Sequence, residues 1–187
     1  LLFLILFFLI SEIFFEFNIL FSKIFRNNKL INFIVLLITL FYLFFITTHT
    51  WLIFSGDTLE LKISYFFIIS VCIASDIGGF TFGKLFKGRK LTKISPNKTY
   101  SGLIGAYTLS IFFTCLIFNT FYTFEKIIIL SIIVSSISQM GDLFISYLKR
   151  KSNLKDTGKI IPGHGGLLDR FDGIIFALPT IFYFIKF

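Results

Sequence analysis

Six long apolar runs constrain this chain more than any other feature. They fall near residues 1–21, 30–54, 63–82, 102–122, 126–148 and 173–185, and a helix crossing the hydrocarbon core of a bilayer needs about 20 mostly apolar residues. Backbone N–H and C=O groups in lipid must be satisfied within the protein, so runs of this length read as helices. The expected fold is all-α, a polytopic integral membrane bundle of about six transmembrane helices in a single membrane domain over residues 1–187. Composition agrees: 56% of the chain is hydrophobic and only 15% is charged, where a soluble domain carries about a quarter charged residues. A cytosolic globular protein is excluded. The first run carries Glu12 and Glu16 four residues apart on one helical face, and the last is short and holds Pro179. Cys72 and Cys115 lie inside apolar runs and read as packing residues. No basic, cleavable leader precedes the first run, so no signal peptide is expected, and further chain before Leu1 is left open.

The few charges fix an orientation. Lys23, Arg26 and Lys29 follow the first run; Lys84, Lys87, Arg89, Lys90, Lys93 and Lys98 follow the third; Lys149, Arg150, Lys151, Lys155, Lys159 and Arg170 follow the fifth. The second connection offers Lys62 against Asp57 and Glu60, and the fourth only Lys126 with Glu125. Basic and nearly neutral loops therefore alternate, which puts 15 of the 18 basic residues on the cytoplasmic side. Topology and anionic lipid account for the first basic loop. The other two also carry acids.

Asp76 and Asp142 stand at the cytoplasmic ends of apolar runs, where a carboxylate is costly unless paired, hydrated or bound to a cation. Snorkelling to the interface, or pairing with a nearby lysine, is the plain structural alternative. On a helix Asp142 and Ser146 are one turn apart, and Lys149 and Arg150 continue that stripe to water. Asp169 and Asp172 follow, bracketing Arg170. Hard oxygen donors of this kind suit Mg²⁺, which takes one or two carboxylates and completes its shell with water and phosphate. Acids that hold a metal, beside bases that hold phosphates, describe phosphoryl or nucleotidyl transfer. Pro162-Gly163-His164-Gly165-Gly166 supplies a tight turn between them; His164 is a candidate acid, base or phosphate donor, or simply a loop hydrogen-bonding residue.

These residues form a recognisable signature. Ser146-Tyr147-Leu148-Lys149-Arg150, Lys155-Asp156-Thr157-Gly158 and Pro162-Gly163-His164-Gly165-Gly166-Leu167-Leu168-Asp169-Arg170-Phe171-Asp172 follow one another without a gap over 27 residues. They resemble the carboxy-terminal signature of the phosphatidate cytidylyltransferases, or CDP-diacylglycerol synthases. The stretch from Asp76-Ile77-Gly78-Gly79 through Lys84 to Ser95-Pro96-Asn97-Lys98-Thr99 resembles that family's central motif. On this basis residues 1–62 are amino-terminal spans and 63–187 the catalytic region, with the signature at 146–172.

The resemblance implies a membrane enzyme that condenses CTP with phosphatidic acid to give CDP-diacylglycerol and pyrophosphate. It implies a divalent cation such as Mg²⁺ held by Asp142 and Asp169 with Ser146 as a further oxygen ligand, and a second, monovalent cation beside it. Lys149, Arg150 and Arg170 would neutralise leaving-group charge. Lys84, Lys93, Lys98, Lys155, His164, Asp76 and Asp172 are candidate substrate-binding residues. Asp76 has three open roles, as metal ligand, ribose acceptor or partner of Lys84, and Asp172 is a ligand or a helix-start residue. A homodimer in a bacterial inner membrane, with its active site facing the cytoplasm, is expected; no nucleic-acid partner is. A transporter for an anionic solute is the main rival, but it predicts internal repeats and charge across the bilayer midplane, and neither is visible.

Overall fold

The computed structural model describes residues 2–92, 95, 98–158 and 165–182. Its elements are α1 (Leu2–Ile24), α2 (Lys29–Ser55), α3 (Leu59–Phe86), α4 (Tyr100–Phe118), α5 (Phe124–Lys151) and α6 (Leu168–Ala177), followed by a 3₁₀ turn at Leu178–Thr180. No strand forms among the described residues; an isolated bridge pairs Lys90 with Thr99. Helices α1 to α5 run 19–28 residues and are long and apolar enough to span a bilayer. At about 1.5 Å per residue they measure about 28–42 Å, against about 30 Å of hydrocarbon. Exposed Phe7, Phe41, Phe44 and Phe112 would be a liability in water and are ordinary lipid-facing side chains here. The chain is a polytopic membrane helix bundle, as its apolar runs predict.

Helices α1, α2, α3 and α5 extend past their runs because charged ends stay helical, whereas α4 stops at Phe118, short of its run. α3 extends past 63–82 to take in Glu60 and Lys84, and α6 begins at Leu168, within the signature, rather than at Gly173. It gives way to the 3₁₀ turn where Pro179 removes an amide donor.

Two compact units emerge. One comprises Leu1–Thr58 with Phe144–Asp172, the other Leu59–Leu143 with Gly173–Phe187. In the first, α1 buries Ile13, Glu16, Phe17, Leu20 and Phe21, spaced as one face of a helix. Phe17 and Phe21 stack with ring centroids 5.6 Å apart. The chain reverses after Phe25, and Asn28 caps α2 by accepting the Ile31 amide at 3.2 Å.

In the second unit α3 and α4 meet backbone to backbone. A Cβ at Gly102 would sit 2.7 Å from the Gly79 carbonyl oxygen, and one at Gly105 would collide with Phe82 and lie 2.8 Å from the Gly78 oxygen. Small residues permit this approach, which supplies the van der Waals contact that holds membrane helices together. Helix α5 is fastened by hydroxyl pairs: Ser75–Ser135 at 2.9 Å, Tyr107–Ser136 at 2.8 Å and Thr114–Ser131 at 2.8 Å.

Candidate functional site

The loop after α3 folds back on itself. Leu91 N–H donates to Lys98 O at 2.7 Å and Tyr100 N–H to Arg89 O at 3.0 Å. This pairing returns Ser95, Lys98 and Thr99 to the helix ends they left. Thr99 then caps α4 by accepting the Gly102 amide at 3.1 Å. Between this loop and the ends of α3, α4 and α5 lies a cavity of about 320 Å³.

Its polar lining is compact. Asp76 comes from α3, Gln139 and Asp142 from α5, and Ser95, Lys98 and Thr99 from the loop. Lys98 Nζ pairs with Asp142 Oδ2 at 2.5 Å, and both charges act on Asp76. Gln139 donates to Ser135 Oγ at 3.0 Å, joining the cavity to the buried hydroxyls below it. Apolar walls come from Phe80, Leu91, Leu103 and Ala106. Two carboxylates supply hard oxygen donors here, with one ammonium beside them. No group of three His, Cys, Asp or Glu side chains forms among the described residues. That donor set fits Mg²⁺, which uses few protein ligands and leaves room for phosphate oxygens, better than a softer metal.

The signature occupies the first unit. Helix α5 ends in a Schellman arrangement: Leu154 N–H donates to Lys149 O at 2.9 Å and Asn153 N–H to Arg150 O at 3.1 Å, with Asn153 at φ 55°. Asparagine tolerates this left-handed position, so the chain turns sharply after Lys151. The loop then wraps Asp169. Lys149 Nζ donates to Asp169 Oδ1 at 2.7 Å, while Oδ2 accepts the Thr157 amide at 2.9 Å and the Gly166 amide at 3.1 Å. Burial pushes this carboxyl up, but the Lys149 hydrogen bond and the two amides outweigh it and hold it below the usual carboxylate range. Gly165 adopts φ +82°, and a Cβ there would also press on Asp169. A glycine is required on both counts.

The predicted residues are distributed over both units. Asp76, Lys98 and Asp142 meet in the cavity of one unit, and Lys149 meets Asp169 in the other. Lys84 lies 5.7 Å over the Phe80 ring. Ser146 is buried, whereas Arg150, Lys155 and Arg170 are exposed and Asp172 is half-buried. Lys93 and His164 fall outside the described residues. The sequence reading missed Thr157 and Gln139 and gave Glu16 no role, yet Glu16 is 1% exposed. The signal available was the charge itself: an acid in mid-helix within an apolar run has to be satisfied by something.

Comparison with known proteins adds the family. The model of the cytidylyltransferase family matches residues 1–187. A phosphatidate cytidylyltransferase of Rickettsia felis is 48% identical over 124 residues, covering 60% of this chain and 55% of that protein. One from Rickettsia typhi is 41% identical over 163 residues, covering 82% and 68%. One from Helicobacter pylori is 37% identical over 135 residues, covering 66% and 48%. The chain thus spans about half to two thirds of the length of these relatives. With a match from the first residue to the last, and with the signature folded around Asp169, the chain belongs to the cytidylyltransferase family.

Proposed function

We propose that this chain transfers a cytidylyl group from CTP to phosphatidic acid, giving CDP-diacylglycerol and pyrophosphate. The observation that carries the reading is the ungapped signature at 146–172, whose Lys149 and Asp169 pair at 2.7 Å. The names of the relatives support it, as does a cavity with acids and a lysine at the end of membrane-length helices.

In the reaction a phosphate oxygen of the lipid attacks the α-phosphorus of CTP. A new P–O–P bond forms, the bond between the α-phosphorus and its bridging oxygen breaks, and pyrophosphate leaves with that electron pair. The lipid phosphate is already ionised near neutral pH, so no strong base is needed and His164 need not move a proton. Asp142 and Asp169, with Ser146, are the proposed holders of Mg²⁺ or another divalent cation; a second, monovalent cation beside it is part of the proposal. When bound, the divalent ion would offset charge on the triphosphate. Lys98 and Lys84 can hold phosphate oxygens as point charges, and Arg150 and Arg170 can do so through two donors each. Lys149 orients Asp169. Asp76, beside Asp142, adds negative charge for a cation to balance. A homodimer in a bacterial inner membrane, with the site on the cytoplasmic face where the basic loops lie, completes the proposal.

The test uses purified protein in detergent with phosphatidic acid, Mg²⁺ and each of the four nucleoside triphosphates in turn, monitoring pyrophosphate. Release is expected only with CTP and only with the lipid. Release without lipid, or equally from UTP, refutes the reading. Asp142→Asn that inserts and folds yet keeps full activity would sink the metal assignment, as would activity indifferent to chelation of divalent cations.

A further inference from the structure

We propose that Glu16, on the first apolar helix, is a positioning residue that holds the signature loop so that Asp169 is presented correctly; its effect on turnover rests on the cytidylyl-transfer reading above. An acid in the middle of a membrane-length helix is expensive unless its oxygens are fully used. Those of Glu16 are. Oε1 accepts the Leu167 amide at 2.8 Å, and Oε2 accepts the Leu168 amide at 2.9 Å and the Thr157 hydroxyl at 2.5 Å. The donors lie 141–152 residues away in sequence. The contact therefore exists only in the folded unit.

The position of the donors gives the contact its meaning. Helix α6 starts at Leu168, so the Leu167 and Leu168 amides are among the N-terminal donors that a helix leaves unsatisfied. A side chain at the residue before the helix usually accepts one of them, but leucine has no acceptor. Glu16 performs that role from α1, and its negative charge suits the positive end of α6. Asp169 is the second residue of the helix so anchored. Thr157 completes the link: its hydroxyl donates to Glu16 and lies 3.1 Å from Asp169 Oδ2, while its amide donates to that same oxygen.

Two glycines of the signature take their reason from this acid. A Cβ at Gly158 would collide with the Glu16 carboxylate, and one at Gly166 would collide with both that carboxylate and the Thr157 hydroxyl. The carboxylate cannot swing aside without breaking its three hydrogen bonds. Gly158, Gly166 and Thr157 thus form a socket for Glu16, and the socket sets the turn that delivers Asp169.

Glu16→Gln in the full chain tests this. The amide keeps the size but offers one acceptor oxygen in place of two. Losing a charge-assisted partner from buried amides should speed hydrogen exchange at Leu167 and Leu168 about 10-fold or more. A shift of the anchored loop by a fraction of an ångström should lower kcat about 10- to 100-fold, with KM for CTP held within about threefold. A general loss of structure would instead raise exchange throughout α1 and α2. Thr157→Val is the second variant: it leaves Glu16 on the helix amides, so exchange at Leu167 stays slow while kcat still falls. It carries the test if the Gln variant does not insert. Unchanged exchange in Glu16→Gln, or kcat within about twofold of the parent in either variant, overturns the proposal. Exchange reads the anchor without turnover, so a parent protein that shows no CTP-dependent reaction refutes the substrate reading and leaves the anchor to be judged by exchange alone.

Discussion

Gly105 and Gly79 stand on opposite sides of the same helix contact, and alanine at each should have opposite effects. At Gly105 the new Cβ would meet Phe82, whose own Cβ is fixed to the α3 backbone, and would sit 2.8 Å from the Gly78 oxygen. Ordinary contact begins near 3.4 Å, so on the carbonyl alone the helices must part by about 0.6 Å. Overpacking of this kind costs about 1–3 kcal/mol, and replacing glycine in a helix interior returns at most about 1 kcal/mol. A net loss of up to about 3 kcal/mol follows. At Gly79 the nearest atoms would be the Gly102 oxygen at 3.8 Å and the Ala106 Cβ at 3.9 Å, an ordinary fit. There only the propensity gain applies, so Gly79→Ala should be neutral or more stable by up to about 1 kcal/mol. The propensity gain is common to both, so the variants differ by the overpacking cost and should melt roughly 2–12 °C apart for a chain of this size. The assay is the fraction remaining monodisperse after heating in one detergent, beside CTP-dependent turnover. Turnover should fall in Gly105→Ala because α3 and α4 both line the cavity. If Gly105→Ala melts at or above Gly79→Ala, the backbone contact between α3 and α4 is wrong.

Two further outcomes follow from the charges. Lys98→Met removes one partner of Asp142 and leaves Asp76 and Asp142 without that ammonium. Because the pair is partly exposed and worth about 0.2–1 kcal/mol, Mg²⁺ measured by thermal shift should bind about 1.4- to 5-fold more tightly while turnover falls; unchanged or weaker Mg²⁺ binding refutes the reading. The Asp169 carboxyl sits lower folded than unfolded. Its stabilisation is therefore present above the unfolded value of about 3.9 and is lost as pH falls through the lower folded value. Asp169→Asn should be the less stable protein at pH 7, and the gap in melting temperature should close on acidification below about pH 4. A gap independent of pH contradicts the ion pair.

The spans were legible because lipid imposes a length and a composition that few other structures share. Their ends were not, since hydropathy cannot see a helix whose first turn reads Leu168-Asp169-Arg170. The placement of Asp142 and Ser146 on one helix followed from their spacing of four. That Lys98 meets Asp142 did not follow, because the two are remote in sequence. The Leu91–Lys98 pairing in the loop is what brings Lys98 there. Glu16 was visible as an anomaly and opaque in purpose, because its partners are brought to it by folding rather than by neighbouring sequence.

The hydroxyls along α5 bear on how the chain is assembled. Ser131, Ser135, Ser138, Gln139 and Asp142 recur at helical spacing, and Ser131 and Ser135 find partners on Thr114 and Ser75, as the neighbouring Ser136 does on Tyr107. A segment with such a stripe is less well dissolved by acyl chains on its own, because each hydroxyl would have only the carbonyls of its own helix to bind, as Ser136 binds Ile132 O at 2.7 Å. Its partners on α3 and α4 precede it in the chain and are made first. Chain order thus makes the residues that seat α5 before α5 itself, and Lys98 before Asp142, the acid near the end of α5 with which it pairs.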